Sequence, residues 1–376
     1  MHLDAALATE PGGHNRVCHV RQNTTRRHAR AEAEGNDVQN ENGAFKMSRH
    51  VASSETSIDN AGPSMLLKAT FISTELRLKP RTKERDSMPI AETLHMNVAD
   101  IQKRKTTGQP ICSVTCYDYP TARWVDAAGI ELILVGDSVG TNVLGYASEK
   151  DVTLNDMTHH VRAVCRGAES SYILADLPYG TCDTPEAALA NAKTLIDAGA
   201  DGVKLEGFKP EIVSRLVAAG IDVCAHLGLM PQIHEKKALQ ARSADAALTL
   251  VQQSIEMEKA GAWCLVLELI PEEVAEAVSR KLTIPTIGIG AGRYTDGQVL
   301  ILLDVLGFHG FDFQHNHRFA DIETPATTAL QAYASAVRDR TFPGAENTRH
   351  LSADELSLFT RTLAQSVPPP ETASQT

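Results

Sequence analysis

No stretch of this 376-residue chain strings together the roughly 20 apolar residues needed to cross a bilayer. Excess positive charge is missing as well. The formal net charge is −11 and no segment interleaves clustered arginines with aromatics, which excludes nucleic-acid binding through a general positive field. The same acidity means that an anionic substrate has to be met locally by a metal, a lysine or an arginine. The patterns of a disulfide framework and of structural zinc are absent too. Cys18, Cys112, Cys116, Cys165, Cys182, Cys224 and Cys264 are odd in number and contain no CxxC pair, and most lie in apolar runs where cysteine acts as a small hydrophobe. A reduced compartment is expected.

What is present is the composition of an ordinary soluble globular protein, 43% hydrophobic and 22% charged, on a chain long enough for one large domain or two ordinary ones. Residues 1–90 stand apart. NTTRRHARAEAEGNDVQNENG is polar and without apolar periodicity and reads as disordered. Within this extension MLLKATFISTELRLKPRTK is basic and mildly amphipathic, and a start at Met47 or Met65 would leave an N-terminus like an organelle-import segment. That points to a mitochondrial location; an unstructured extension on a cytoplasmic protein is the alternative, and Asp4 and Glu10 speak for it. Residues 346–376, ending SVPPPETASQT, read as a disordered or loosely helical tail.

Between these flanks, over residues 91–345, strand and helix patterns alternate. ICSVTC, LILVGDS, YILADLP, GVKLE, VCAHLG, CLVLEL, PTIGIGAG and VLILLD are short apolar runs. Helical stretches such as TPEAALANAKTLIDAG intervene, this one with Thr184 as N-cap, Pro185 in the first turn and Gly199 as stop. Continuous apolar runs, rather than alternating ones, indicate a parallel sheet buried on both faces. Eight such units over about 250 residues have the size of a (β/α)8 barrel. A doubly wound open sheet competes, but it would normally carry a Gly-rich phosphate turn after its first strand, and TCYDYPT is not one.

In a barrel the carboxyl ends of the strands meet at one face. Asp137, Asp176, Glu206, His226 and Glu268 each end a strand, so they are expected to converge. Any one of them alone would more simply cap a helix or sit in solvent. Carboxylates aimed at one point repel, and a hard divalent cation, Mg²⁺ above all, relieves the repulsion. His226 by itself suits a hydrogen-bonding role better than a ligand role. Lys204, two residues before Glu206, shares its face: a salt bridge, a cation for a substrate carboxylate, or a Schiff-base amine. The glycine loop from Gly288 to Gly292 could face a phosphate or a flat cofactor, or be only a turn.

TCYDYPTA, LVGDSVGTNVLGY, TLNDMTHHVRAVCRGA, ADLPYG, DGVKLEG, CAHLGLMPQ, LVLELIP and IPTIGIGAG…TDGQVL resemble, in order and spacing, the ketopantoate hydroxymethyltransferase family over roughly residues 95 to 345. The resemblance implies a (β/α)8 barrel of the phosphoenolpyruvate/pyruvate type in a homo-oligomer, with a decamer as the expected size. It implies transfer of a hydroxymethyl group from 5,10-methylenetetrahydrofolate to 3-methyl-2-oxobutanoate through a Mg²⁺-stabilised enolate. By motif position it gives Asp137, Asp176 and Glu206 to the metal site, and Asp137, Ser138, Asp176, Lys204 and His226 to the ketoacid. Glu268 becomes the general base. The chain departs from the family after GLMPQ, where IHEKKALQAR is about three residues shorter than usual and lacks glycine. HNHRF has His317 in place of a proline, and FPGAENTRH lacks the usual His after Glu346. These departures touch the folate and lid side of the site. Two competing readings are a lyase or mutase on the same barrel, for which no Cys-bearing lid motif is found, and a catalytically weak scaffold, which the intact carboxylates oppose.

Overall fold

The computed structural model describes residues 95–234, 237–308 and 316–366. The extension assigned to residues 1–90 and its import-like segment lie outside the described residues. The six described cysteines are all free thiols.

Eight strands close in chain order into a barrel in which every neighbouring pair is parallel. They are β1 (Ile111–Thr115), β2 (Leu132–Val135), β3 (Tyr172–Asp176), β4 (Gly202–Glu206), β5 (Asp222–Gly228), β6 (Cys264–Glu268), β7 (Thr286–Ile289) and β8 (Gly297–Leu300). A short helix, α1 (Val98–Thr107), precedes them. Helices α2 (Tyr119–Ala127), α3 (Leu154–Cys165), α4 (Pro185–Asp197), α5 (Pro210–Val217), α6 (Ala244–Lys259) and α7 (Glu272–Lys281) follow β1 to β6 in turn. Their starts are written locally. Asp118, Thr153, Thr184 and Ser243 each accept a hydrogen bond from the backbone N–H three residues on, satisfying a donor that the helix leaves open.

The continuous apolar strands divide their residues between two packing layers. Leu132, Leu134, Tyr172, Leu174, Cys224, Cys264 and Val266 pack together inside the barrel. Their alternates, among them Ile133, Ile173, Val203, Val223 and Leu265, pack outward against Met157, Leu195, Leu216 and Met257 of the helices. Because side chains alternate along a strand, every second residue after an inward one is also inward. That parity carries Asp176 and Glu268 to the inner face at the top of β3 and β6.

The last unit departs from the pattern that the sequence suggests. VLILLD is not one strand. β8 begins at Gly297 and ends at Leu300, and α8 (Leu302–Leu306) takes the remaining apolar residues. Pairing explains it: β1 offers Ile111–Val114 as partners to Gly297–Leu300, and the Leu302 N–H turns to the Thr115 hydroxyl at 3.1 Å, which ends the ladder. A short apolar run reads equally well as strand or helix until its neighbours are known. No helix separates β7 from β8, which residues 290–296 join directly. There the glycine loop serves local packing, since a Cβ on Gly292 (φ 81°) would collide with the Glu272 side chain that binds Arg293. Beyond the barrel, α9 (Glu323–Arg338) and α10 (Ala353–Ser366) are helices with no buried residue.

Gly228 sets the closest approach between β5 and β6. It has φ 101°, pairs with Glu268, and a Cβ there would strike the Glu268 carbonyl oxygen. Replacing Gly228 with Ala should therefore cost about 2–4 kcal/mol through left-handed strain and overpacking. Urea unfolding of the two proteins checks this; an unchanged midpoint would mean that the strands can separate at no cost.

Candidate active site

The inner face at the carboxyl ends of the strands opens into a cavity of about 670 Å³. Asp137, Asp176, Lys204, Glu206, His226 and Glu268 all line it, together with Ser138. The residues that the sequence singles out therefore do share one mouth. Register arranges them in complementary pairs: Asp176 lies opposite Lys204, and Glu206 opposite His226.

The contacts form a nearly unbroken chain across the mouth. Lys204 Nζ donates to Asp176 Oδ1 at 2.6 Å, and the Asp137 backbone N–H donates to Asp176 Oδ2 at 3.1 Å. The Gln232 side-chain amide donates to Asp137 Oδ2 at 2.6 Å and to the Leu177 carbonyl at 3.2 Å, while its backbone N–H donates to Glu206 Oε1 at 2.8 Å. His226 lies between two carboxylates, with Nδ1 3.5 Å from Glu206 Oε2 and Nε2 3.2 Å from Glu268 Oε2. Both are ion-pair approaches, made off the ideal line of the ring N–H bonds. Ser138 is held by the buried Tyr117, whose hydroxyl is 2.9 Å from Ser138 Oγ.

Sequence reasoning missed Gln232 and Tyr117. Both sit in blocks with recognisable order, GLMPQ and TCYDYPT, but neither ionises nor ends a strand. The backbone at Leu269 was missed as well. Directly after Glu268 the chain takes a left-handed turn with φ 46°, which strains a branched residue. It is held by Leu269 N–H to the Ile289 carbonyl (2.9 Å) and by Gln240 N–H to the Leu269 carbonyl (2.8 Å).

Charge in the mouth is unbalanced. Four carboxylates (Asp137, Asp176, Glu206 and Glu268) face one lysine and one histidine. Burial lowers the affinity of Lys204 for its proton, but Asp176, Asp137 and Glu206 together raise its pKa above the usual range. Burial and the Asp176 charge push Asp137 up to about 8, because Lys204 and Gln232 only partly offset them. A buried acid held near neutrality by a neighbouring acid is the site where a cation would bring most relief. Asp137 and Asp176 fit a hard divalent ion that takes one or two carboxylates and completes its shell with water or substrate. Glu206, the third carboxylate that the family resemblance gives to this site, stands beside them. Among the described residues no group of three His, Cys, Asp or Glu side chains is spaced to share one ion. The Glu206 oxygens are engaged instead by Gln232 and His226.

Residues 95–345 match the family model described as ketopantoate hydroxymethyltransferase. Two relatives carry the name 3-methyl-2-oxobutanoate hydroxymethyltransferase. One, from Roseiflexus sp., is 44% identical over 270 residues, 70% of this chain and 97% of the relative. The other, from Chloroflexus aurantiacus, is 46% identical over 272 residues, 70% and 96%. Among solved structures, 2,3-dimethylmalate lyase, titled a PEP mutase/isocitrate lyase superfamily member, is 16% identical with a TM-score of 0.44, covering 70% of this chain and 98% of that one.

The His226 environment has a pH signature. Burial opposes its charge, but Glu206 and Glu268 prevail and lift it to about 9 from an ordinary 6.5. A raised pKa stabilises the fold fully below about 6.5 and ceases to do so as pH rises through about 9. A His226→Gln variant should therefore lose more stability relative to wild type at pH 6 than at pH 9.5. Urea midpoints at both values test it; a gap that does not depend on pH would mean that His226 is neutral in the fold.

Proposed function

Since the chain belongs to the ketopantoate hydroxymethyltransferase family, we propose that it transfers a hydroxymethyl group from 5,10-methylenetetrahydrofolate to 3-methyl-2-oxobutanoate, giving 2-dehydropantoate. The observation that carries this reading is the mouth itself: two neighbouring buried acids, Asp137 and Asp176, that one lysine only partly compensates, with a separate carboxylate, Glu268, lining the same cavity. Asp137 and Asp176 would hold Mg²⁺. Glu206 would support that site from beside it, through the Gln232 backbone it accepts from and the His226 it faces. When bound, the ion draws electron density from the ketoacid oxygens and so acidifies the hydrogen on C3.

The chain's own residues do the rest. The Ser138 hydroxyl, oriented by Tyr117, and the Lys204 ammonium orient the ketoacid carboxylate. Glu268 is the proton acceptor. Its side chain is 17% exposed into the cavity, and the strained turn at Leu269 fixes its direction. His226 beside it is positively charged at neutral pH and offsets the two carboxylates it separates. Proton removal by Glu268 leaves the ketoacid as an enolate. Water adds to the methylene carbon of the donor as its two carbon–nitrogen bonds break, and each folate nitrogen keeps a proton. The enolate carbon bonds to the one-carbon unit so released at the formaldehyde level, and the proton taken by Glu268 goes to its oxygen to complete the hydroxymethyl group. The absence of buried residues in α9 and α10, which expose Leu330, Tyr333, Leu356 and Phe359, supports assembly of a homo-oligomer, for which the family size is a decamer.

Glu268→Gln keeps the shape and removes the basicity. Without folate, deuterium exchange at C3 of the ketoacid, followed by NMR, isolates proton removal, and it should fall by at least about 100-fold, since general-base catalysis is worth about 10²–10⁴ in rate. Product formation with folate should fall with it. A folded Glu268→Gln protein exchanging at the wild-type rate would remove Glu268 from the mechanism.

The metal proposal has its own readout. With Asp137 half-protonated near pH 8, a divalent cation binding at pH 7 must expel about one proton. Mg²⁺ titrations in two buffers of different ionisation heat should give different enthalpies at pH 7 and converging ones at pH 9.5. Asp137→Asn should lose the binding. Buffer-independent heats at pH 7 would place the ion elsewhere.

A further inference from the structure

The cavity extends well beyond the ketoacid site at its floor. Its rim is formed from two loops, one carrying Thr141, Asn142 and Glu149 after β2, the other carrying Lys237 after β5. At about 670 Å³ the space is on the scale of a whole cofactor, far more than a small ketoacid needs. Resting on the reading of the second substrate as a folate, one end of that substrate must reach Glu268. The other end, which carries carboxylates, must leave through the rim.

The rim is a hostile exit for an anion. Asp137, Glu149, Asp176, Glu206, Glu268 and Asp304 all line the cavity, on a chain whose net charge is −11. Of the two described lysines that line it, Lys204 is buried and bound to Asp176 at 2.6 Å. Lys237 differs. Its side chain is 61% exposed, and its Nζ lies 3.4 Å from Glu149 Oε1. Glu149 is itself 11% exposed and accepts from the Thr141 hydroxyl at 3.2 Å, so the partner is anchored while the lysine is not. An ammonium has three donors, and one contact at 3.4 Å leaves capacity for a second acceptor. Glu149 thus tethers an exposed cation over the exit without burying it.

We propose that Lys237 is the rim subsite for the glutamate-tail carboxylate of the folate co-substrate, held over the mouth by Glu149. The ion pair between the two loops then serves specificity: it selects a second substrate with an acidic tail from one with the same ring system and no tail. The assignment also gives the short loop a role. IHEKKALQAR lacks glycine but brings a lysine to the rim.

The test uses the full chain with steady-state kinetics on two donors, 5,10-methylenetetrahydrofolate and the corresponding tetrahydropteroate, which lacks the glutamate. Lys237→Ala should raise the KM for the folate about 5- to 20-fold with kcat within about twofold, the scale of one exposed charge-assisted contact. Lys237→Arg should restore most of it. Added salt should narrow the gap between wild type and Lys237→Ala, as screening of a single exposed pair requires. The pteroate donor should show no difference between the proteins, and the KM for the ketoacid should not move. An unchanged folate KM would overturn the assignment, as would an equal rise for the pteroate, which would place Lys237 on the ring. A rise in ketoacid KM alone would place it on the first substrate and overturn it too. Wild-type enzyme that turns over neither donor would remove the folate reading, and this subsite with it. Turnover in wild type with no effect of Lys237→Ala would remove the subsite alone.

Discussion

Gathering four carboxylates, three buried and Glu268 part-buried, around one buried lysine and one buried histidine is the constraint on which the rest of this structure turns. An ion taken out of water costs several kcal/mol even after relaxation, and an unpaired one is the costliest single feature a core can hold. The barrel manages this by distributing the charges rather than removing them. Asp176 is paired with Lys204, Glu206 with the Gln232 backbone and His226, and Glu268 with the other side of His226. What is left over falls on Asp137, whose side-chain donor among the described residues is a neutral amide. The residual imbalance is therefore localised, beside Asp176, instead of being spread over the mouth. The divalent ion proposed for this position would complete the balance that the fold leaves open there.

This distribution depends on register. A shift of β4 by one residue would send Lys204 away from Asp176 and turn both of its inward charges, Lys204 and Glu206, into the apolar layer under the helices. The two packing layers prevent that shift. Leu132, Leu134, Tyr172 and Leu174 fill the inside below the charges, while Ile133, Ile173, Val203 and Leu205 lock the outside against the helices. Apolar packing at the floor fixes where the ionisable groups stand at the top, so the stability of the core and the geometry of the site share one cause.

The barrel and the convergence at its mouth were legible in the sequence because both follow from simple periodicities. Buried parallel strands read as unbroken apolar runs, and five of these runs end in an ionisable group that no core would keep without reason. The rest was not legible for equally physical reasons. Gln232 is neutral and lies past a strand, so no period marks it, yet it donates to both Asp137 and Glu206. Which way Glu206 turns is decided by a backbone N–H on another loop, which no local pattern encodes. VLILLD split into strand and helix because the pairing length of β1, far away in the chain, set its limit.

The turn after Glu268 joins these strands of reasoning. Leu269 is a branched residue in a left-handed conformation, a strain of roughly 1–3 kcal/mol that persists only where surroundings over-determine it. Here the surroundings are the Ile289 carbonyl on β7, the Gln240 N–H on the short loop after β5, and Gly228 pressed against the Glu268 carbonyl. The loop that departs most from the family pattern is thus also the one whose backbone holds the turn behind Glu268, while its Lys237 reaches the rim. Directly after these two contacts the chain bends sharply, at Ala241 with φ 51°. The loop therefore serves two anchor points at once, one behind Glu268 and one at the rim of the mouth.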